Sequence, residues 1–387
     1  MKQVIRQAIK EANNVNDEKP FYTLLLDMNS IMKMSLIDKR LNSKGEEYGM
    51  IFQTLLQIKI QLQRRDFTFC YAMYDGEQSG QLRYNYYQEY KANRDKNYEL
   101  HSGKSEYDKK IEAYCRKVLD YSRKKKQEQN KEEDDDENFQ RQREVIFECL
   151  EELFCRNCIF DEVEGDDLIA YYVMHKKPNE KILIVSGDRD LTQLISDDVS
   201  IYVTQLKKEI TPQNHVKEIG FTHENVLIKK ILCGDASDNI KGIKGMGERT
   251  FFNLFPSAVT EKITLDEVLE KTQELIDERV KNKKKPLAVT ENLINRVTTG
   301  SQGKDIFEIN DKIINLKHPL LTKEAETELN DLMYAPLDPE GRDFKNLYNI
   351  VVKNGMTDFL DENHFSNFFS SFNGLIDKEK KFFNSAE

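Results

Sequence analysis

Lys181-Ile-Leu-Ile-Val-Ser-Gly-Asp188-Arg-Asp190 decides how this chain is read. Four β-prone apolar residues in a row, closed by Ser-Gly, predict a strand over Lys181–Val185 that is buried on both faces. Two aspartates follow its carboxyl end. The same arrangement recurs outward along the chain. Tyr22–Leu26 closes on Asp27, Thr68–Tyr74 on Asp75, and Ile159–Val163 on Glu164, with Asp166 and Asp167 directly after. Apolar residues at helical spacing lie between, over Gly49–Arg64, Arg143–Phe154, Asp166–His175 and Asp190–Ser196, and a further strand fits Val199–Thr204. This alternation predicts an α/β fold with a doubly wound, mainly parallel sheet. In such sheets the ligand crevice lies beyond the carboxyl ends of the strands, which is where these acids fall.

With Asp235 and Asp238 in Cys-Gly-Asp235-Ala-Ser-Asp238-Asn, the acidic set is Asp27, Asp75, Glu164, Asp166, Asp167, Asp188, Asp190, Asp235 and Asp238. A single aspartate after a strand is often no more than a helix cap or a turn former. Five clusters together are another matter, because so many like charges stay ionised in one place only if cations hold them. Oxygen-only ligands suit Mg²⁺, with Mn²⁺ as a substitute. Nine acids exceed what one such ion needs and fit two, the arrangement that serves in-line phosphodiester displacement.

The 387 residues suggest two or three packed units. A hydrophobic share of 39% is enough for a core, and a charged share of 33% marks a polar surface. The formal charge of −10 argues at first against a nucleic-acid partner, but seven acids against one lysine over 128–137 account for most of it. The rest is near balance, so local basic patches carry more information than the total. Cys155-x-x-Cys158 has no second pair to complete a zinc site, and the cysteines read as reduced thiols in a cytoplasmic protein. No apolar run approaches the length of a membrane span.

The organisation expected is a polar segment over 1–20, an α/β domain over 21–220 with a charged insertion inside 79–144, a helical domain over 221–350, and a tail over 351–387. Two stretches point to nucleic acid. Gly242-Ile-Lys-Gly245-Met-Gly247, flanked by Lys241, Lys244 and Arg249, interrupts two helical segments. Glycines allow close backbone approach, and amides at the start of the second helix can face a phosphate; this is helix-hairpin-helix logic, which holds backbone rather than sequence. The second stretch, Arg83-Tyr84-Asn-Tyr86-Tyr87-Gln-Glu-Tyr90-Lys91-Ala-Asn-Arg94, alternates rings with cations. Rings stack on unpaired bases and cations hold phosphates. A solvated helix whose tyrosines pack on the core would look alike; the position just after Asp75 favours the binding role.

Taken together, Glu164-Gly-Asp166-Asp167, Ser186-Gly-Asp188-Arg-Asp190 and Gly234-Asp235-Ala-Ser-Asp238-Asn239, in this order and followed by the glycine hairpin, resemble the structure-specific 5′ nuclease family of flap endonucleases and 5′-3′ exonucleases. Tyr90-Lys91-Ala-Asn-Arg94 is similar to its arch motif. The resemblance runs from about residue 22 to 256. It is strongest to bacteriophage members with ribonuclease H activity, on Tyr86-Tyr87 near Lys91 and on Lys181-Ile-Leu-Ile-Val. It implies a PIN-like 5′-nuclease sheet with a helical arch, and a Mg²⁺-dependent enzyme removing RNA primers and 5′ flaps from branched DNA and RNA–DNA hybrids. Asp27, Asp75, Glu164 and Asp166 would serve one metal, and Asp188, Asp190, Asp235 and Asp238 the other, with Asp167 at either. Lys91 and Arg94, assisted by Arg83, would contact the scissile phosphate, with Tyr87, Tyr90 and the hairpin on DNA. Also implied are K⁺ at the hairpin, a monomer, and host cytoplasm if phage-encoded. In the tail, Phe365, Phe368 and Phe369 or the terminal Phe382-Phe383 would suit an anchor for a sliding clamp or single-strand DNA-binding protein, but a Phe-rich helix packing on the body is the plainer reading. Arg189 stands where the family often has glycine. The rival readings are a PIN-type ribonuclease on single-stranded RNA, which would lack the hairpin, and a non-catalytic DNA-binding replication factor, which need not keep every acid.

Overall fold

The computed structural model describes residues 19–92, 137–298, 305–337, 342–359 and 361–384. Arg94 and most of the charged insertion lie outside them. Six strands form one sheet: β1 Phe21–Asp27, β2 Phe67–Met73, β3 Arg156–Cys158, β4 Glu180–Ser186, β5 Val199–Val203 and β6 Lys208–Ile210, in the order β3-β2-β1-β4-β5-β6. The first five are parallel and β6 is an antiparallel edge. Strand order reverses between β1 and β4, so the switch point lies where Leu26 pairs with Val185 and Asp27 ends β1.

Both faces are covered, which is why β1, β2 and β4 read as unbroken apolar runs. Leu24 and Leu26 pack into one layer with helices Met28–Ser35, Gly49–Leu62 and the helical residues 137–152. Phe21 and Leu25 face the other, with helices Gly165–Met174 and Lys323–Leu332. Helices Val226–Cys233 and Glu248–Leu254 build a third core from Ile228, Ile231, Ile243, Met246, Phe251 and Phe255. Between these two helices lies a short hairpin, β7 Gly234–Asp235 with β8 Ile240–Lys241. No helix among the described residues is long and apolar enough to cross a membrane.

Two local expectations change. The strand expected at Ile159–Val163 lies earlier, at Arg156–Cys158, and 159–163 form a turn with Glu162 at φ +65°. Ile159 is 37% exposed, while Cys158 and Val163 on either side of it are buried in the core. The helix expected at Asp190–Ser196 is a 3₁₀ helix over Asp190–Leu194. At the C-terminus, residues Glu362–Asn384 form a helix whose Phe368, Phe369 and Phe372 are buried beside Phe52 and Phe359. Phe382 meets Phe21 at 4.9 Å and Phe69 at 5.1 Å, and Glu379 takes a 2.7 Å ion pair from Arg156 of β3. Of the two readings of this tail, the Phe-rich helix packed on the body is the one seen for Phe365, Phe368 and Phe369, where removing a buried ring costs about 3–5 kcal/mol; Phe382 and Phe383 are half-buried.

Candidate active site

A cleft of about 530 Å³ opens at the carboxyl ends of β1 and β4, lined by eight carboxylates: Asp27, Asp75, Glu164, Asp166, Asp188, Asp190, Asp235 and Asp238. Local rules deliver each one. Asp27 ends β1 and caps the next helix, accepting from Ser30 N at 3.0 Å and from Ser186 Oγ at 2.5 Å. Asp75 follows β2 and accepts from Gly165 N at 2.8 Å, which joins it to the helix start that carries Glu164 and Asp166. Ser186 Oγ in turn accepts from Asp188 N at 2.8 Å, and Asp188 accepts from Asp190 N at 2.8 Å. A Cβ on Gly187 would fall 2.2 Å from Gln205 Nε2 and 2.7 Å from Ser30 Oγ, so a side chain there would have to displace the ends of both. Arg189, the residue least in keeping with the family pattern, sits in right-handed helical backbone and is compatible with the turn.

The charges are unevenly compensated. Burial pushes the Asp27 carboxyl up to about 7, with Asp75 and Asp188 repelling it and the Ser186 and Ser30 bonds opposing. Desolvation, then repulsion from Asp27, Asp188, Asp75 and Glu164, drives Asp166 well above the carboxylate range. Burial and Asp188 raise Asp190 to about 6 in spite of Lys230. Burial would also raise Asp235, but Lys230 and the Ser237 bonds bring it down to about 2. Glu164 is buried too, yet Arg83 and Lys91 hold it below its ordinary value.

This donor set fits divalent cations. It offers only hard oxygen ligands, and its innermost acids retain their protons unless an external charge replaces them. Among the described residues no three His, Cys, Asp or Glu side chains converge closely enough to hold a metal ion by themselves.

Asp167, expected as a ninth metal ligand, does not line the cleft. It is 1% exposed, and Arg83 grips both its oxygens, with Nη2 at 3.0 Å from Oδ1. Oδ1 also accepts from Leu320 N at 3.0 Å. Geometry explains the difference: Glu164 and Asp166 open onto the crevice from the first turn of their helix, whereas Asp167 turns into the body. Arg83 is equally buried, bonding Glu164 at 2.5 Å and the Ile313 carbonyl at 2.8 Å.

Tyr90 and Lys91 line the cleft, whereas Tyr87 lies outside its lining and donates from Oη to the Asn239 carbonyl at 3.3 Å. Tyr90 Oη donates to Glu164 at 3.1 Å, and Lys91 Nζ pairs with the same carboxylate. Lys91 holds φ +54° and donates its N–H to the Asp238 carbonyl at 2.9 Å. Asn239 Nδ2 donates to the Glu89 carbonyl at 2.8 Å, and Lys241 Nζ to Asn239 at 2.7 Å. The aromatic-basic stretch is thus bound to the β7–β8 hairpin. Beyond the hairpin, Lys244, Gly245, Gly247 and Arg249 are exposed, Gly245 at φ +88° and Gly247 capping Glu248–Leu254. Gly242 packs on Cys233 backbone, with no space for a Cβ.

Lys230 is the residue sequence reasoning missed. It bridges Asp190 and Asp235, at 2.5 Å from the latter, and the two carboxylates keep it charged against burial. Its signal was slight: a lysine five residues before an aspartate, on a helix that stops at Gly234. Asn29, Ser30, Lys33 and Gln205 also line the cleft from positions with no motif.

A mainly parallel sheet with an acidic cleft at its switch point, followed in the chain by a glycine-rich turn between helices, defines the class: a doubly wound α/β fold with its site at the carboxyl ends of the strands. Residues 22–220 match the family model described as 5′-3′ exonuclease, N-terminal resolvase-like domain, and the chain belongs to that family. It is 35% identical over 127 residues to a 5′-3′ exonuclease of Bacillus subtilis, covering 32% of this chain and 42% of that protein. It is 33% identical over 128 residues to DNA polymerase I of the same organism, covering 32% of this chain and 14% of the polymerase. The chain thus spans less than half the length of these curated relatives. In fold it is similar to the flap endonuclease of bacteriophage T5, solved as a pseudo-enzyme-product complex with DNA and metal ions, with TM-score 0.52, 18% identity, and coverage of 87% of this chain and 100% of that one.

Proposed function

We propose that this chain is a Mg²⁺-dependent, structure-specific 5′ nuclease that hydrolyses phosphodiesters in branched DNA and in RNA–DNA hybrids, removing primers and 5′ flaps during replication. The observation that carries the reading is the meeting, at one switch-point cleft, of eight carboxylates with the cations Arg83, Lys91 and Lys230; the glycine turn follows Asp238 a few residues further along the chain. Asp27, Asp75, Glu164 and Asp166 would hold one ion, and Asp188, Asp190, Asp235 and Asp238 a second. Two such ions supply Lewis acidity to a scissile phosphate and lower the pKa of an attacking water.

The remaining work falls to the chain. The Lys91 side chain, one quarter exposed and steered by Glu164 and the Tyr90 ring at 5.0 Å, offers a positive charge to a phosphate entering the cleft. Arg83 orients Glu164 from behind and is too buried to leave it. The bare amides at Gly245 and Gly247 and the cations Lys244 and Arg249 hold a duplex backbone without reading its sequence. Arg94 would join Lys91 by its place in the arch motif.

The test is incubation of the protein with a 5′-labelled flap duplex and Mg²⁺, alongside a substrate with a blocked 5′ end and an RNA–DNA hybrid. Cleavage near the branch point, lost in Asp188→Ala, is expected. No cleavage, or cleavage undiminished by that substitution, would refute the proposal. Preference for single-stranded RNA would favour the PIN-type reading.

A further inference from the structure

The turn between helices Leu265–Lys281 and Ala288–Ile294 carries Arg279, Lys281, Lys283, Lys284 and Lys285 and no acid. The four lysines are exposed, and among the described residues no carboxylate pairs with any of the five. The turn is ordered by its own backbone. Lys284 N donates to the Arg279 carbonyl at 2.8 Å, Arg279 Nε to the Lys285 carbonyl at 2.8 Å, and Lys283 takes φ +53°. The charges are therefore presented from a fixed loop.

Its position matters more than its composition. The helix that follows packs on the glycine hairpin. Val289 lies 3.7 Å from where a Cβ of Gly245 would be, Asn292 Nδ2 donates to the Lys244 carbonyl at 2.9 Å, and Lys244 N donates to the Val297 carbonyl at 2.9 Å. Lys285 thus stands four residues from a side chain that touches the hairpin. The exposed cations Lys244 and Arg249 of the glycine turn and Lys281 to Lys285 of the 279–285 turn are thus linked through the helix Ala288–Ile294.

We propose that the 279–285 turn is a second duplex-backbone contact, which extends the hold on the double-stranded arm of the substrate beyond the hairpin. Lysines are compact, mobile point charges that suit successive phosphates, and each phosphate contact adds about 0.9 to the salt slope of binding. The inference rests on the nucleic-acid reading above. An acidic protein surface is the alternative partner.

The experiment measures binding of the inactive Asp188→Ala protein to flap substrates by fluorescence anisotropy across a salt series, with and without the added triple substitution Lys283→Ala, Lys284→Ala and Lys285→Ala. The duplex arm is about one or about two helical turns long. On the long arm the triple substitution is expected to weaken binding about tenfold or more and to reduce the salt slope by about 2–3. The short arm should show a much smaller change. Lys→Arg at the three positions should restore the long-arm affinity, and a thermal melt checks folding. Equal affinity and slope on the long arm would overturn the proposal and leave an acidic protein as the partner. Failure of the parent protein to bind any duplex would instead refute the nuclease reading itself.

Discussion

Two ends of one cleft treat the same chemistry in opposite ways. Around Glu164 the chain provides its own cations: Arg83 on one oxygen, Lys91 on the other, and the Tyr90 hydroxyl beside them. Around Asp27 and Asp166 it provides none; neither forms an ion pair among the described residues. The first end is electrostatically complete as folded. The second is neutralised only by its own protons or by an external cation, so the acids open to a metal are concentrated in half of the site rather than spread through the whole.

Substitution at the two ends should therefore move stability in opposite directions. Arg83→Met leaves Asp167 and Glu164 buried with their main partner gone. A loss of about 3–5 kcal/mol is expected, since breaking a buried pair strands a charge. Asp166→Asn removes one of several mutually repelling carboxyls, so the metal-free protein should melt at a higher temperature. Its cleavage should fall at least about 100-fold, the order seen when one electrostatic partner of a transition state is lost. Denaturant unfolding and single-turnover cleavage of both variants check this. A destabilised Asp166→Asn protein would break the comparison.

Acidity gives a second way to sharpen it. Asp27 keeps its proton up to about pH 7 when folded but releases it near pH 4 when unfolded. Between those limits the folded chain binds the extra proton, so stability falls as pH rises across the window. Asp190, raised to about 6, acts in the same sense, while Asp235, lowered to about 2, contributes stability that is lost only below pH 4. One fixed Mg²⁺ concentration should thus stabilise the protein against melting more at pH 7.5, by about 2.7 kcal/mol where it is a hundredfold above its dissociation constant at that pH, than at pH 5. Asp27→Asn should flatten the difference in the metal-free protein. Equal Mg²⁺ effects at both pH values would show that the acids are not the groups being relieved.

What the sequence made legible follows from periodicity. β1, β2, β4 and β5 announce themselves because strands covered on both faces are unbroken apolar runs, and the acids follow because the chain must leave such a strand at the crevice. β3 was misplaced because a three-residue edge strand gives no period to read, and its neighbour Ile159 is apolar yet exposed. β6 was missed for the same reason. In the site, Asp235 and Asp238 follow a helix, while Asp27, Asp75, Asp188 and Asp190 could be placed from the strand ends alone. Asp167 could not, because its role depends on Arg83, 84 residues earlier, and on Leu320, 153 residues later. Lys230 was hidden likewise, since its pairing with Asp190 spans 40 residues. The C-terminal phenylalanines show the limit of composition: a Phe-rich helix looks the same whether it covers a core or awaits a partner.

The smallest effect expected separates the hairpin's structural glycines from one free for binding. A side chain at Gly242 would overlap Cys233 backbone, and Gly245 holds φ +88°, so alanine at either is disfavoured by the fold itself. Gly247 has neither constraint: its φ is −96°, and a Cβ there would meet nothing within 4 Å. Alanine is therefore compatible with the backbone and should leave stability within about 1 kcal/mol, on the favourable side through the unfolded state. If the bare amides at this helix start approach a phosphate, however, the added methyl occupies the space the ligand needs. Gly247→Ala should then weaken binding to duplex DNA several-fold while its melting temperature holds or rises. A fall in stability with unchanged affinity would show that the glycine serves the hairpin's shape, and the duplex would have to be held by the cations alone.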